Sequence, residues 1–220
     1  MTIAVLADER SKKEWLNKGI PKTVEVLWCG SVKTLVATVA DAYFDLLYTL
    51  DSERNGHLKM RAGHPFFINA VEYSTQKTGN EFIRINSWSG FLQRPIVEVS
   101  IGDTRQEAVV RNVFDQLGWR FQLAPDIPGM ITARVIATII NEAYYTYGEK
   151  ISSKDEIDIA MKLGTSYPLG PFEWSEQIGL ERIGALLNEL SLTDNRYLLA
   201  PELEKELASR QNRNPVIGNK

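Results

Sequence analysis

Cysteine and histidine are almost missing from this chain of 220 residues: it has one cysteine, Cys29, and two histidines, His57 and His64. A single cysteine excludes an intrachain disulfide and fits a reducing compartment. A zinc site wants three or four closely spaced Cys, His or carboxylate ligands, and His57 and His64 with six residues between them form no such pattern; no metal is expected. Glycine is present, with 15 copies, but no two stand two positions apart. There is therefore no G-x-G, and no G-K-[ST] either, so neither the dinucleotide fingerprint nor a P-loop can be built. No apolar run approaches the ~18 residues of a membrane span. The opening Met1–Leu6 stretch stops at Asp8-Glu9 and lacks the basic start of a signal peptide. A cytoplasmic protein is expected. The longest basic cluster is Lys12-Lys13, and 25 Lys+Arg against 28 Asp+Glu leave a net charge of −3. Phosphate neutralisation needs clustered cations, so no nucleic-acid partner is expected.

What is present is an ordinary globular balance, 44% hydrophobic and 24% charged, enough for one large domain or two small ones. In the first half, Thr2 to Ala7 and Val24 to Trp28 are apolar and flank a polar, helix-compatible Glu9 to Lys18, which predicts a βαβ unit. Phe44 to Leu50, Phe66 to Asn69, Phe82 to Asn86, Pro95 to Ile101 and Trp119 to Leu123 are further strand candidates. Thr104-x-x-Glu107 has the form of a capping box opening a helix that Gly118 ends. Arg54 to Gly63 is expected to be a loop. Cys29, after Trp28, is a small hydrophobe at a strand end.

The character changes at Pro125-Asp126-Ile127-Pro128-Gly129. Beyond it Ile131, Val135, Ile139, Ala143 and Tyr147 recur at helical spacing. A second capping box, Ser153-x-x-Glu156, opens another helix that stops near Gly164. Pro168-Leu169-Gly170-Pro171 forces a turn before two helices, Phe172 to Leu180 and Arg182 to Leu190, and a short one over Glu202 to Arg210. The expected fold class is α/β plus all-α: a reduced Rossmann-like parallel sheet in residues 1–126 and a helical dimerisation domain in residues 127–220.

Those helical-half residues carry a resemblance. Asp126-Ile127-Pro128-Gly129-Met130, Arg134, Asn141-Glu142-Ala143, Asp155-Glu156-Ile157-Asp158-x-Ala160-Met161-x-Leu163-Gly164 and Pro168-Leu169-Gly170-Pro171-Phe172-Glu173 together resemble the C-terminal domain of the L-3-hydroxyacyl-CoA dehydrogenases. The resemblance covers residues 95–190 and implies a helical domain that forms a homodimer and closes over an acyl-CoA. It also implies an NAD-dependent oxidation of 3-hydroxyacyl-CoA by a histidine base oriented by a glutamate.

Set against that pattern, Glu98 in Ile96-Val97-Glu98-Val99 stands at the glutamate position. The base position holds Asn86, in Asn86-Ser87-Trp88-Ser89-Gly90. An asparagine cannot take up and release a proton at neutral pH. Asn69 heads the counterpart of a hydroxyl-rich N-T-S-S run, and Arg134 is retained beside Ala133; both are expected substrate contacts. At the amino terminus, Val5-Leu6-Ala7-Asp8-Glu9 replaces a glycine loop and sets negative charge where a pyrophosphate would lie. Segments are missing between about 31 and 66. His64, ahead of Pro65, is a remote substitute for the base. The expectation is a catalytically silent relative without bound cofactor, a dimeric scaffold or a module for acyl-CoA or another small ligand. The alternative is an active NAD-dependent oxidoreductase of fatty acid metabolism.

Overall fold

A computed structural model describes residues 1–61 and 63–213. Contacts divide the chain into two compact units after Ile131, where the sequence reading divides it after 126. The first unit is a seven-stranded sheet in the order β2-β1-β3-β4-β5-β6-β7. Its strands are β1 (Thr2–Leu6), β2 (Glu25–Cys29), β3 (Ala42–Asp45), β4 (Phe66–Ile68), β5 (Ile83–Ile85), β6 (Ile96–Ser100) and β7 (Arg120–Leu123). All neighbours run parallel except β5 and β6. The helices between them are α1 (Glu9–Lys18), α2 (Val32–Ala37), α3 (Ser52–Lys59), α4 (Thr75–Thr78) and α5 (Gln106–Leu117).

A parallel sheet covered on both faces needs apolar side chains at successive positions. In β1, Ile3 and Val5 enter one core with Trp15, Phe114 and Trp119, while Ala4 and Leu6 enter a second with Leu35 and Leu58. The β3–β4 register sets Tyr43 beside Phe66 and Phe44 beside Phe67. Each pair stacks, one on each face, with ring planes 10° and 7° apart. Aromatic side chains thus lock this register from both sides.

Three expectations for this half need correction. Arg54 to Gly63 is not a loop: Ser52–Lys59 is helical, because Asp51 accepts a hydrogen bond from the Arg54 N–H at 2.7 Å and Leu58 is fully buried. Asn55-Gly56 inside it masks the helix from propensity. The strand expected over Phe44 to Leu50 ends at Asp45, whose buried carboxylate takes a two-pronged contact from Arg54. Thr104 does not cap α5; Asp103 does the local work, accepting from the Arg105 N–H at 2.9 Å.

The second unit holds α6 (Thr132–Gly148), α7 (Lys154–Thr165), α8 (Pro171–Ile178), α9 (Leu180–Ser191), a 3-10 turn (Asn195–Tyr197) and α10 (Pro201–Arg213). The Ser153–Glu156 capping box forms as the spacing predicts. The motif residues here are pins. Asn141 donates to the Leu198 carbonyl at 2.8 Å and accepts from the Ala200 N–H at 2.9 Å, holding that turn to α6. Asp158 accepts from the Phe172 and Glu173 N–H groups, so a carboxylate on α7 caps α8. Gly170 is required by that contact: a Cβ there would lie 2.3 Å from Asp158 Oδ1. Gly170→Ala is expected to cost roughly 1–3 kcal/mol in urea unfolding, the usual range for overpacking; an unchanged midpoint would show that α7 and α8 yield freely.

Candidate functional site

In open α/β sheets ligands bind beyond the carboxyl ends of the strands, where the strand order reverses. Here the reversal falls at β1, between β2 and β3. At the end of β1 the chain turns through Ala7 and Asp8 into α1. Asp8 is the helix N-cap, its Oδ1 accepting from the Ser11 N–H at 2.7 Å. The helix terminus, whose N–H groups and dipole suit an anion, is thereby supplied with the chain's own anion. At the end of β2, where a ribose-binding carboxylate would stand in a dinucleotide site, the residues are Cys29, Gly30 and Ser31. Ser31 caps α2, accepting from the Thr34 N–H at 3.1 Å.

The ends of β4 and β5 bring Asn69, Asn86 and Glu98 into one region. Asn86 is buried, and its Nδ2 donates to Glu98 Oε2 at 3.3 Å. The Asn86 N–H also donates to the Glu98 carbonyl at 2.9 Å, because β5 and β6 are antiparallel neighbours. The two positions that the resemblance pairs are therefore paired in space. Glu98 further accepts from the Ile131 N–H at 3.4 Å and draws on the positive charge of Arg94. Asn69 is buried and spends its amide on backbone: Nδ2 donates to the Leu46 carbonyl at 3.1 Å, and Oδ1 accepts from the Ser87 N–H at 3.3 Å. It ties the ends of β3, β4 and β5 together.

Sequence reasoning missed three residues that define this region. Trp88 is buried and its Nε1 donates to Glu72 Oε1 at 3.0 Å. Glu14, on α1, accepts from the Gly90 N–H at 2.7 Å and from the Ser89 hydroxyl at 3.3 Å. Arg84, fully buried on β5, donates to the Ala70 and Tyr73 carbonyls, Ser100 Oγ and Asp126 Oδ1. Two carboxylates thus fasten the loop after β5. The signal available was weak: Glu14 sits beside Trp15 on an otherwise polar helix, and Arg84 interrupts a three-residue apolar strand.

Neither histidine joins the site. His64 lies just before the first residue of β4, at the amino end of the strand, against Tyr43. His57, in the last turn of α3, faces Glu53 at 3.7 Å. Arg134, in the second unit, donates to the Tyr197 hydroxyl at 2.9 Å and stacks over its ring. Among the described residues no group of His, Cys, Asp or Glu is arranged to hold a metal ion, and no helix is long and apolar enough to cross a membrane.

A mostly parallel sheet with helices on both faces, followed by a helical unit, defines a protein built like the Rossmann-type dehydrogenases. Residues 129–214 match the family model "3-hydroxyacyl-CoA dehydrogenase, C-terminal domain". A 3-hydroxybutyryl-CoA dehydrogenase of Clostridioides difficile is 30% identical over 143 residues, 63% of this chain and 51% of that protein. A 3-hydroxyadipyl-CoA dehydrogenase of Escherichia coli is 46% identical over 65 residues, 30% of this chain and 14% of that one. The chain thus spans about half the length of the first of these curated relatives and about a seventh of the second. In fold, the crystal structure of (S)-3-hydroxybutyryl-CoA dehydrogenase from Ralstonia eutropha superposes with a TM-score of 0.74 at 19% identity, covering 95% of this chain and 94% of that one. Residues 129–214 thus carry the C-terminal domain of the 3-hydroxyacyl-CoA dehydrogenases, and the chain over nearly its full length shares their fold.

Glu14 generates a pH prediction. Burial raises its pKa, against the lowering effects of the Gly90 N–H, the Ser89 hydroxyl and Arg10. The folded chain therefore holds this proton to higher pH than the unfolded chain does. Its contribution to stability is full below the usual carboxylate range and is lost as pH climbs through the raised value. Urea midpoints should show wild type losing stability relative to Glu14→Gln between pH 4 and pH 7 on the scale of ordinary carboxylate titration. A constant difference would place the titration elsewhere.

Proposed function

We propose that this chain is a family member without dehydrogenase activity, acting as a homodimeric scaffold or as a module for an acyl-CoA or other small ligand. The observation that carries this reading is Asn86, whose amide takes up the Glu98 carboxylate where the reaction needs a titratable base. The turn into α1 supports it. A pyrophosphate placed there would meet the Asp8 carboxylate and the side chain of Ala7, and it would have to displace the Asp8–Ser11 contact. These residues do not fit a dinucleotide, and no step is derived through one. Cys29 is a free buried thiol, which suits the cytoplasm.

The second reading, an active NAD-dependent oxidoreductase of 3-hydroxyacyl-CoA in fatty acid metabolism, is favoured by the retained Glu98 and its pairing with the base position. Calorimetric titration with NAD and with NADH separates the two. No saturable binding at millimolar cofactor is expected, nor any turnover of 3-hydroxyacyl-CoA by wild type or by Asn86→His. Saturable binding in the micromolar-to-millimolar range usual for enzymes would overturn the silent reading.

The homodimer is supported by apolar side chains facing solvent on α6 and α7: Val135, Tyr147, Ile159 and Leu163, the last 82% exposed. Monomeric domains bury most such residues, and a pair of helices carrying four of them suits a mate. Val135→Glu with Leu163→Glu is expected to shift the helical-unit dimer toward monomer by sedimentation without lowering the thermal midpoint of the chain. Unchanged association by this double variant would remove the helical unit from the interface.

A further inference from the structure

The 3-10 turn before α10 gathers cations around one buried oxygen. Arg134, in the first turn of α6, donates through Nε to the Tyr197 hydroxyl at 2.9 Å, and Arg196 donates to the same oxygen through Nη2. Both guanidinium groups also lie over the Tyr197 ring, 4.9 and 4.6 Å from its centre. Tyr197 itself is only 3% exposed, and all three residues belong to the second unit. Asn141 ties the chain after Tyr197 to α6, so Arg134 and Tyr197 are held together before any ligand arrives. A phenol oxygen has two lone pairs and one proton. Here guanidinium N–H groups take both lone pairs, and among the described residues the hydroxyl proton meets no acceptor. The terminal amino groups of Arg134 and the Nη1 of Arg196 meet none among those residues either.

We propose that Arg134, Arg196 and the Tyr197 hydroxyl form a binding site for a phosphate group. One carboxylate offsets the two cations: Asp194 lies 3.1 Å from Arg196 Nε and caps the turn by accepting from the Arg196 N–H at 3.0 Å. The cluster therefore keeps a positive charge, and each of its unspent polar groups is a donor. Such a set is completed by an oxyanion. A carboxylate is met by a single guanidinium as a two-pronged pair. Donors from three side chains around one point suit a tetrahedral anion, whose oxygens accept in more than two directions. One phosphate oxygen accepts from the Tyr197 O–H while others take the free amino groups of the arginines. The bonds already made to the phenol oxygen stay in place, so no native contact has to break. The site goes beyond the proposed function, since it needs neither a dinucleotide nor a base at position 86. Free phosphate and the phosphate ester of a larger ligand share this chemistry.

Calorimetric titration with inorganic phosphate and with AMP tests the site on the full chain. Wild type is expected to bind one phosphate per chain saturably; tighter binding of AMP points to an ester as the occupant, and equal or weaker binding to free phosphate. Arg196→Gln changes an exposed side chain, and Tyr197→Phe keeps the buried ring. Each is expected to weaken phosphate binding about tenfold or more, the scale of one hydrogen bond to a charged group, with circular dichroism unchanged. Asp194→Asn keeps a capping side chain and removes the competing charge, so it is expected to tighten binding. Arg111→Gln, on a surface arginine of α5 paired with Glu107, is expected to leave it unaltered. A cluster that serves packing alone gives no phosphate response in wild type. The absence of saturable binding of both probes, or equal affinity in wild type and Arg196→Gln, overturns the site.

Discussion

The site is organised around one buried cation. Arg84 lies in the middle of β5 with no exposed surface, and its two terminal amino groups, though not its Nε–H, are met by hydrogen-bond partners. Burial pulls its pKa down, and Asp126 pulls it back. Its partners come from three places: the Ala70 and Tyr73 carbonyls after β4, Ser100 on β6, and Asp126 with the Ile127 carbonyl beyond β7. Asp126 in turn accepts from the Thr75 N–H at 3.0 Å, and the Gly129 N–H donates to the Val71 carbonyl at 2.8 Å. One ion pair therefore fixes the loops around Asn69 and Asn86. Removing a partner from such a pair costs about 3–5 kcal/mol, because the other charge stays buried.

With that frame held, acidic side chains of the chain itself fill the carboxyl ends of the strands. Three acidic side chains stand where an anionic dinucleotide or its surroundings would be sought: Asp8 on the α1 terminus, Glu72 on the Trp88 indole and Glu14 on the Gly90 N–H. Each satisfies a donor that an empty crevice would leave to water or to a ligand. Together they hold the loop after β5 down by two points, with the indole of Trp88 buried between them. Most polar groups of this region are spent on one another, the Arg84 Nε–H and the Ser87 hydroxyl being buried exceptions.

Much of this was legible beforehand, and the reasons are specific. The absence of G-x-G is a statement about backbone space, and the turn from β1 into α1 is accordingly built by Ala7 and Asp8. The Ser153–Glu156 box and the Gly170 turn were legible because caps act within three or four residues. The two-unit organisation followed from alternating strand and helix candidates giving way, beyond Gly129, to helical spacing alone. Asn86 and Glu98 were paired only through the resemblance, since twelve residues of sequence carry no distance. α3 was missed because Asn55-Gly56 lowers local propensity, while the burial of Leu58 that stabilises the helix is a tertiary fact. Arg84, Glu14 and Trp88 were missed for the same reason. A polar residue inside an element reads as solvated until the partner from a distant segment, here Asp126, Gly90 or Glu72, is seen beside it.

The losses on the proposed reading are unequal, and the order matters. Replacing a general base costs typically 10²–10⁴-fold in rate, which leaves a slow enzyme rather than none. A fixed carboxylate at the helix terminus acts earlier, on binding. Restoring an imidazole at position 86 repairs only the later step, and it must also share Glu98 and fit beside the buried Trp88. On the proposed reading the turn at Ala7-Asp8 therefore acts before the change at position 86, on binding rather than on proton transfer. The helical unit, whose motif residues Asn141, Asp158 and Gly170 serve packing alone, carries no such conflict. Those residues depend on neither cofactor nor base, so on the proposed reading the helical unit can keep these motifs while the α/β unit departs from the pattern at Asp8 and Asn86.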